Sequence, residues 1–178
     1  MMEMLNELKV KASKIKYFFS DVDGTLTDGG VYYSPSGEVL KKFSLRDGTG
    51  YFLLKQVGIK TGIITTECSP IVQQRVNKLG IDEYIYGTNR KLESIEIFLK
   101  RKNIEIDEIA FIGDEINDIN LLKECGLSFA VNDANERVKS VVDVVCLNKG
   151  GHGAFREAVE FLLKLRNVDL DVLIETRL

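Results

Sequence analysis

Residues 16–28 read Lys-Tyr-Phe-Phe-Ser-Asp-Val-Asp-Gly-Thr-Leu-Thr-Asp, a short apolar run that breaks into acid. The run has no polar alternation, which predicts a strand buried on both faces, as in a parallel sheet covered by helices. Two more segments share this form. Residues 60–64 (Lys-Thr-Gly-Ile-Ile) run into Thr65, and residues 108–112 (Glu-Ile-Ala-Phe-Ile) run into Gly113 and Asp114. Weaker strands are predicted near 83–86, 127–131 and 142–146. Amphipathic stretches lie between them. Ser69 is placed to cap a helix, Pro70 to open it and Gly80 to stop it, with Val72, Val76 and Leu79 facing inward. Leu92, Ile95 and Leu99 mark a helix over 90–102. Ile116, Ile119 and Leu122 mark another, and Phe155, Ala158, Val159, Leu162 and Leu165 a long one near the end. The β-α-β alternation predicts an α/β fold with a doubly wound parallel sheet. With 178 residues, one domain over 1–178 is expected.

Residues 29–45 interrupt the alternation. They read as two strands around Ser34-Pro35-Ser36-Gly37, a β-hairpin inserted after the first strand. Tyr32, Tyr33, Val39, Leu40 and Phe43 give it more apolar surface than an isolated hairpin sustains in water, so it is expected to pack on another subunit, the alternative being that it folds back on its own domain.

Composition narrows the functions. A net charge of −3 argues against a nucleic-acid grip, which needs a basic face. No apolar run approaches the ~18 residues of a membrane span, and no secretory pattern opens the chain, so a cytoplasmic protein is expected. Three scattered cysteines predict neither disulfides nor a zinc site, and the chain has one histidine, His152. Any chemistry therefore rests on carboxylates, lysine and hydroxyls.

In a doubly wound sheet, ligands bind beyond the carboxyl ends of the strands. Asp21, Thr65 and Asp114 end three predicted strands and so converge on one edge. Asp21 and Asp23, two apart in extended chain, face the same way. Two adjacent carboxylates repel, and a hard cation such as Mg²⁺ relieves that repulsion. Gly113-Asp114-Glu115-Ile116-Asn117-Asp118 sets more acid at the mouth of a helix, beyond what capping requires. Lys91, near the start of the 90–102 helix, brings positive charge. The group suits a divalent cation, a phosphate and a nucleophilic carboxylate.

These residues resemble the four motifs of the haloacid dehalogenase superfamily of phosphatases: DVDGTLTDG at 21–29, Thr65 at a strand end, Lys91, and GDEIND at 113–118. The resemblance covers about residues 15–165 and implies a Rossmann-like sheet. No insertion is long enough for a cap domain. The hairpin, Arg46-Asp47-Gly48, and Gly150-Gly151-His152-Gly153-Ala154-Phe155-Arg156-Glu157 resemble the small tetrameric phosphatases of 2-keto-3-deoxy sugar acids. That group includes an eight-carbon type, acting on 3-deoxy-manno-octulosonate 8-phosphate, and a nine-carbon type, acting on KDN or N-acylneuraminate 9-phosphates. It also includes a related domain fused to cytidylyltransferases.

The resemblance implies a homotetramer joined by the hairpins, with neighbours closing each other's sites. It further implies Asp21 as nucleophile, Asp23 as acid and base, and Thr65 and Lys91 as phosphate contacts. Mg²⁺ would be held by Asp21, the Asp23 carbonyl and Asp114, with Asp118 and Asn117 behind them. Where the eight-carbon type resembles Ile-Thr-Gly-Arg, this chain has Ile64-Thr65-Thr66-Glu67. Glu67, Arg75 and Lys78 look closer to the nine-carbon type, and that substrate is expected. Arg46, Glu67, Arg75, Lys78 and Arg156 are the expected sugar-acid contacts, with Lys149 and His152 as further candidates. The competing readings are the eight-carbon substrate, a non-catalytic oligomerisation module, a phosphomutase and a receiver-type signalling domain. A receiver has an acid pair at its first strand and its phosphorylated aspartate at the third. Here the first strand ends in aspartates at alternate positions and the third in Gly113-Asp114-Glu115-Ile116-Asn117-Asp118, which weighs against that reading. Residues 168–178 are expected as a docked helix, a frayed end, or a tail carrying Arg177 to a neighbour's site.

Overall fold

The structure, a computed structural model, describes residues 2–175. The elements run α1 (Met2–Lys14), β1 (Tyr17–Ser20), β2 (Thr27–Ser34), β3 (Gly37–Phe43), α2 (Leu45–Gln56), β4 (Lys60–Ile64), α3 (Pro70–Leu79), β5 (Glu83–Ile85), α4 (Lys91–Lys102), β6 (Ile109–Gly113), α5 (Ile119–Glu124), β7 (Leu127–Ala130), α6 (Glu136–Lys139), β8 (Val144–Val145), α7 (Ala154–Leu165) and α8 (Leu170–Glu175). Six strands form one sheet in the order β5-β4-β1-β6-β7-β8, and every pairing is parallel. β2 and β3 form the separate antiparallel hairpin.

β1 lies at the centre, which explains its unbroken apolar character. Phe18 meets Phe129 and Phe155 on one face, and Phe19 meets Phe98 on the other. Gly62 on β4 is glycine because Phe19 lies against it: a Cβ there would stand 2.2 Å from the ring. The predicted strands all form, with ends shifted by a residue or two. α3 begins at Pro70, and Gly80 ends it in the left-handed conformation, φ 60°. Ser69 precedes it in extended backbone, but its hydroxyl makes no cap; it donates to Glu38 of the hairpin.

Three features differ from the sequence expectations. The helix expected from Ile116 opens as a 3₁₀ turn over Ile116–Asp118, and Ile116 is 53% exposed. The inward stripe therefore starts at Ile119. α1 was not anticipated; Leu8 and Ala12 bury its inner face. α2 was not anticipated either; Gly48 and Gly50 lower the helix propensity of its first half. Ser44 caps it by accepting the Arg46 N–H, and its glycines admit neighbours. A Cβ on Gly50 would press the Phe155 ring at 3.1 Å, and one on Gly48 the Arg75 guanidinium at 3.0 Å. α2 packs on α7, which also carries α1.

Leu170–Glu175 form α8, with Leu170 and Leu173 against the core. Arg177 lies outside the described residues. Cys68, Cys125 and Cys146 are all free thiols. Among the described residues no helix is long and apolar enough to cross a membrane.

Candidate active site

Three adjacent strands deliver the acidic edge. Asp21 follows β1, Thr65 follows β4, and Asp114 follows β6. Lys91, the first residue of α4, reaches them from beyond β5. Its ammonium lies 2.7 Å from Asp21 Oδ1 and 2.5 Å from Asp118 Oδ1, with no solvent exposure. Asp118 Oδ2 accepts the backbone N–H groups of Asp114 at 3.0 Å and Glu115 at 3.2 Å. Both oxygens of Asp118 are thus committed, one to orienting Lys91 and one to shaping the loop that carries Asp114. Gly113 makes room for it: a Cβ there would stand 2.4 Å from Asp118 Oδ2. Asp114 Oδ1 accepts from the Thr25 hydroxyl at 2.8 Å. Its other oxygen lies over Gly24, where a Cβ would stand 2.1 Å away and φ is +87°. A side chain at residue 24 would displace Asp114 and strain the backbone.

The site is short of positive charge. Ligand atoms of Asp21, Asp114 and Asp118 lie within 4.8 Å of one another, against the single ammonium of Lys91. Burial pushes Asp21 up to about 6; Lys91 pulls it down, and Asp118 adds repulsion. Burial and the Asp21 charge push Asp114 up to about 8. Lys91 is itself disfavoured by burial, but the two aspartates outweigh this and hold it above the ordinary lysine value. Crowded, buried oxygen ligands in need of charge fit a hard divalent cation.

Asp21 and Asp23 open onto a cavity of about 540 Å³, lined also by Thr65, Thr66, Glu67 and Asn117. Asn117 bridges two of its walls, donating to the Thr66 hydroxyl at 3.0 Å. Thr65 is buried, and its hydroxyl accepts the Glu67 N–H at 3.3 Å. The hairpin forms the remaining wall with Val31, Tyr33, Glu38 and Lys41.

Of the expected sugar-acid contacts, only Glu67 reaches this cavity within one chain. Arg75 donates to the Ser44 carbonyl at 2.9 Å and lies over the Phe43 ring, fastening α3 to the end of the hairpin. Arg156 is paired with Glu160, one turn along α7. Arg46 and Lys78 are exposed away from the cavity. His152 Nδ1 lies 2.8 Å from the Gly150 carbonyl, a contact within its own loop.

Lys41 was missed. Its Nζ lies 2.5 Å from Asp23 Oδ1 and 3.1 Å from Glu38 Oε1, with its side chain 2% exposed. Strand alternation sets residues 38 and 41 on opposite faces. A β-bulge reverses this: Tyr33 pairs with Glu38 and Tyr32 with Leu40, so Val39 is the extra residue. A bulge of this kind leaves no signal in the sequence.

The fold and much of the sequence recur in known proteins. A family model described as haloacid dehalogenase-like hydrolase matches residues 81–157. The chain is 37% identical over 157 residues to the 3-deoxy-D-manno-octulosonate 8-phosphate phosphatase of Haemophilus influenzae, an alignment covering 88% of this chain and 87% of that one. The chain belongs to the haloacid dehalogenase-like hydrolases. Like the relatives that bear a phosphatase name, it is a phosphomonoester hydrolase. Among solved structures, 3-deoxy-D-manno-octulosonate 8-phosphate phosphatase from Moraxella catarrhalis, in complex with magnesium ion, phosphate ion and KDO, is 38% identical with a TM-score of 0.91. The match covers 97% of this chain and 99% of that one. The cobalt-bound enzyme from Haemophilus influenzae is 37% identical with a TM-score of 0.85, covering 88% and 92%. The capless α/β sheet with its hairpin is shared with these family members.

Proposed function

We propose that this chain is a Mg²⁺-dependent phosphatase of an eight-carbon 2-keto-3-deoxy sugar acid, 3-deoxy-D-manno-octulosonate 8-phosphate. The observation that carries the chemistry is the buried Lys91 ammonium, held between Asp21 and Asp118 beside Asp114. The relatives named for that substrate carry the choice of sugar acid. The nine-carbon preference expected from Glu67 and Arg75 finds no support among them, and Arg75 is occupied with Ser44 and Phe43.

Asp21, Asp114 and the Asp23 backbone carbonyl would hold Mg²⁺. When bound, the ion supplies the positive charge that the acids lack and that an incoming phosphate requires. Phosphoryl transfer depends on positioning and charge balance, which the fixed partners here provide. Lys91 holds the Asp21 carboxylate for attack on phosphorus. A bond forms from Asp21 to phosphorus as the bond to the sugar oxygen breaks, giving an aspartyl-phosphate. Asp23 gives its proton to the departing oxygen. Water then attacks phosphorus, Asp23 takes a proton from that water, and the bond to Asp21 breaks. Inorganic phosphate leaves, and both aspartates return to their starting forms. Thr65 donates to a phosphate oxygen, and Asp118 keeps Lys91 in place.

The hairpin is proposed to join four copies into a homotetramer. Tyr32 and Leu40, paired across it, are 60% and 61% exposed on the face turned from the cavity, which supports a protein partner there.

The test is phosphate release with Mg²⁺ from the eight-carbon 8-phosphate and a nine-carbon 9-phosphate. A preference above about tenfold in kcat/KM, about 1.4 kcal/mol, decides the branch. The eight-carbon ester is expected to win, and Asp21→Asn to abolish release. A nine-carbon preference overturns the substrate, and full activity of Asp21→Asn overturns the mechanism.

A further inference from the structure

We propose that Lys41 is a positioning residue for the acid–base aspartate, and that through it the inserted hairpin governs protonation of the leaving group. This rests on the phosphatase reading above. The contact ties the loop after β1 to the second strand of the hairpin. Lys41 Nζ touches Asp23 Oδ1 at 2.5 Å and Glu38 Oε1 at 3.1 Å, and Glu38 Oε2 accepts from the Ser69 hydroxyl at the start of α3. A line of polar contacts therefore runs from the loop after β1, through the hairpin, to the loop after β4.

The two oxygens of Asp23 are unequal. Oδ1 is held by Lys41, while Oδ2 is buried and has no hydrogen-bond partner among the described residues. A buried carboxylate oxygen without a partner is costly, and a catalytic role is one reason for a protein to keep it. Fixing Oδ1 sets the rotation of the carboxylate and leaves Oδ2 as the oxygen that meets the leaving group. Lys41 is well placed for this because burial removes the rotamer freedom of a surface lysine. The Val39 bulge keeps Glu38 on the same side as a second anchor. Lys41 itself gives and takes no proton.

A hairpin anchor that only holds the site together would, on removal, slow every substrate alike. A residue that positions the acid matters in proportion to the leaving group's need for a proton. The experiment measures kcat/KM, which reports the steps up to loss of the leaving group, for wild type, Lys41→Met and Lys41→Arg with Mg²⁺. The substrates are the eight-carbon sugar-acid 8-phosphate, whose alkoxide needs a proton, and p-nitrophenyl phosphate, whose phenolate does not. General acid catalysis contributes ~10²–10⁴-fold. Lys41→Met is therefore expected to lose on the order of 10- to 100-fold on the sugar ester through kcat, and less than about threefold on the aryl ester. Lys41→Arg should recover most of the loss. Thermal melting and light scattering establish that each variant is folded and assembled like wild type. If Lys41→Met does not fold, Lys41→Arg must show the same split at smaller size. Equal losses on both esters, or no loss on either, in an active protein overturn the role of Lys41 alone. A wild type that releases phosphate from neither ester overturns the phosphatase reading, and this proposal with it.

Discussion

Lys91 Nζ stands 2.5 Å from Asp118 Oδ1, and neither side chain has any exposure to solvent. The pair is the pivot of the site, because the same ammonium holds Asp21 and the same carboxylate holds the backbone under Asp114. Lys91→Met leaves buried acids without their counter-charge. Breaking a buried pair in this way costs about 3–5 kcal/mol. Denaturant unfolding should show a loss of that size, greater at high pH where the acids are charged, together with loss of phosphate release. An unchanged midpoint would mean that the pair contributes nothing to the fold.

Metal and pH are linked through Asp21 and Asp114. Their carboxyls are pushed up to about 6 and about 8 from an ordinary 3.8, so the folded protein holds more protons than the unfolded chain between those values. The contribution of the pair to stability is therefore greatest at low pH and declines as pH rises from about 4 through about 8. Mg²⁺ favours the charged forms. In chelator, the melting temperature of wild type should fall across this window relative to Asp114→Asn, and added Mg²⁺ should raise it more at about pH 8 than at about pH 5. A larger Mg²⁺ shift at the lower pH would contradict the assignment.

Asp47 caps α7 from another helix. Its Oδ1 accepts the Arg156 N–H at 3.0 Å, the third residue of a helix whose own cap position is Gly153. Burial pushes the Asp47 carboxyl above its ordinary value, and the N–H donors of Arg156 and Gly153 only partly offset this. Asp47→Ala should cost about 1–3 kcal/mol, the penalty for buried donors left unpaired. Asp47→Asn keeps the accepting oxygen and removes the buried charge, so chemical unfolding should find it closer to wild type. Equal losses in the two variants would exclude the cap.

Gly150 rests against the loop that carries Asp21 and Asp23. A Cβ at Gly150 would stand 1.7 Å from the Gly24 carbonyl oxygen, and backbone does not yield to that. Gly150→Ala is predicted to destabilise by about 1–3 kcal/mol or more and to lower activity beyond what unfolding explains, since Gly24 shares its loop with Asp21 and Asp23. Activity per folded molecule is the measurement. A normal value would show that the loop can shift without moving the acids.

The homotetramer is tested at the hairpin. Tyr32→Glu with Leu40→Glu places like charges across one strand pair on the exposed face. Light scattering should move from four copies toward smaller species, while the pairing of β2 with β3 persists by circular dichroism. A wild type that is monomeric at working concentration removes the proposal.

The apolar runs before Asp21, Thr65 and Asp114 were legible because a strand buried on both faces needs no partner to be recognised, and the order of such strands places their ends together. The convergence of Asp21, Thr65 and Asp114 on one edge followed from that order. α2 was hidden because its two glycines carry turn propensity, and only Phe155 and Arg75 pressing on them make a helix the better arrangement. Arg75, Arg156 and Lys78 read alike as cations available to a substrate. The fates of Arg75 and Arg156 depend on Phe43, Ser44 and Glu160, which are distant neighbours or one turn along a helix, while Lys78 stays exposed.

By itself, the sequence determined the parallel sheet and the carboxylates, threonine and lysine at its edge, because hydrophobic run length and strand-end position are local properties of the chain. Tertiary structure alone decided that Lys41 is buried against Asp23. A single extra residue at Val39 reverses which face a strand side chain occupies, and an ammonium leaves water only where two carboxylates from the fold already wait for it.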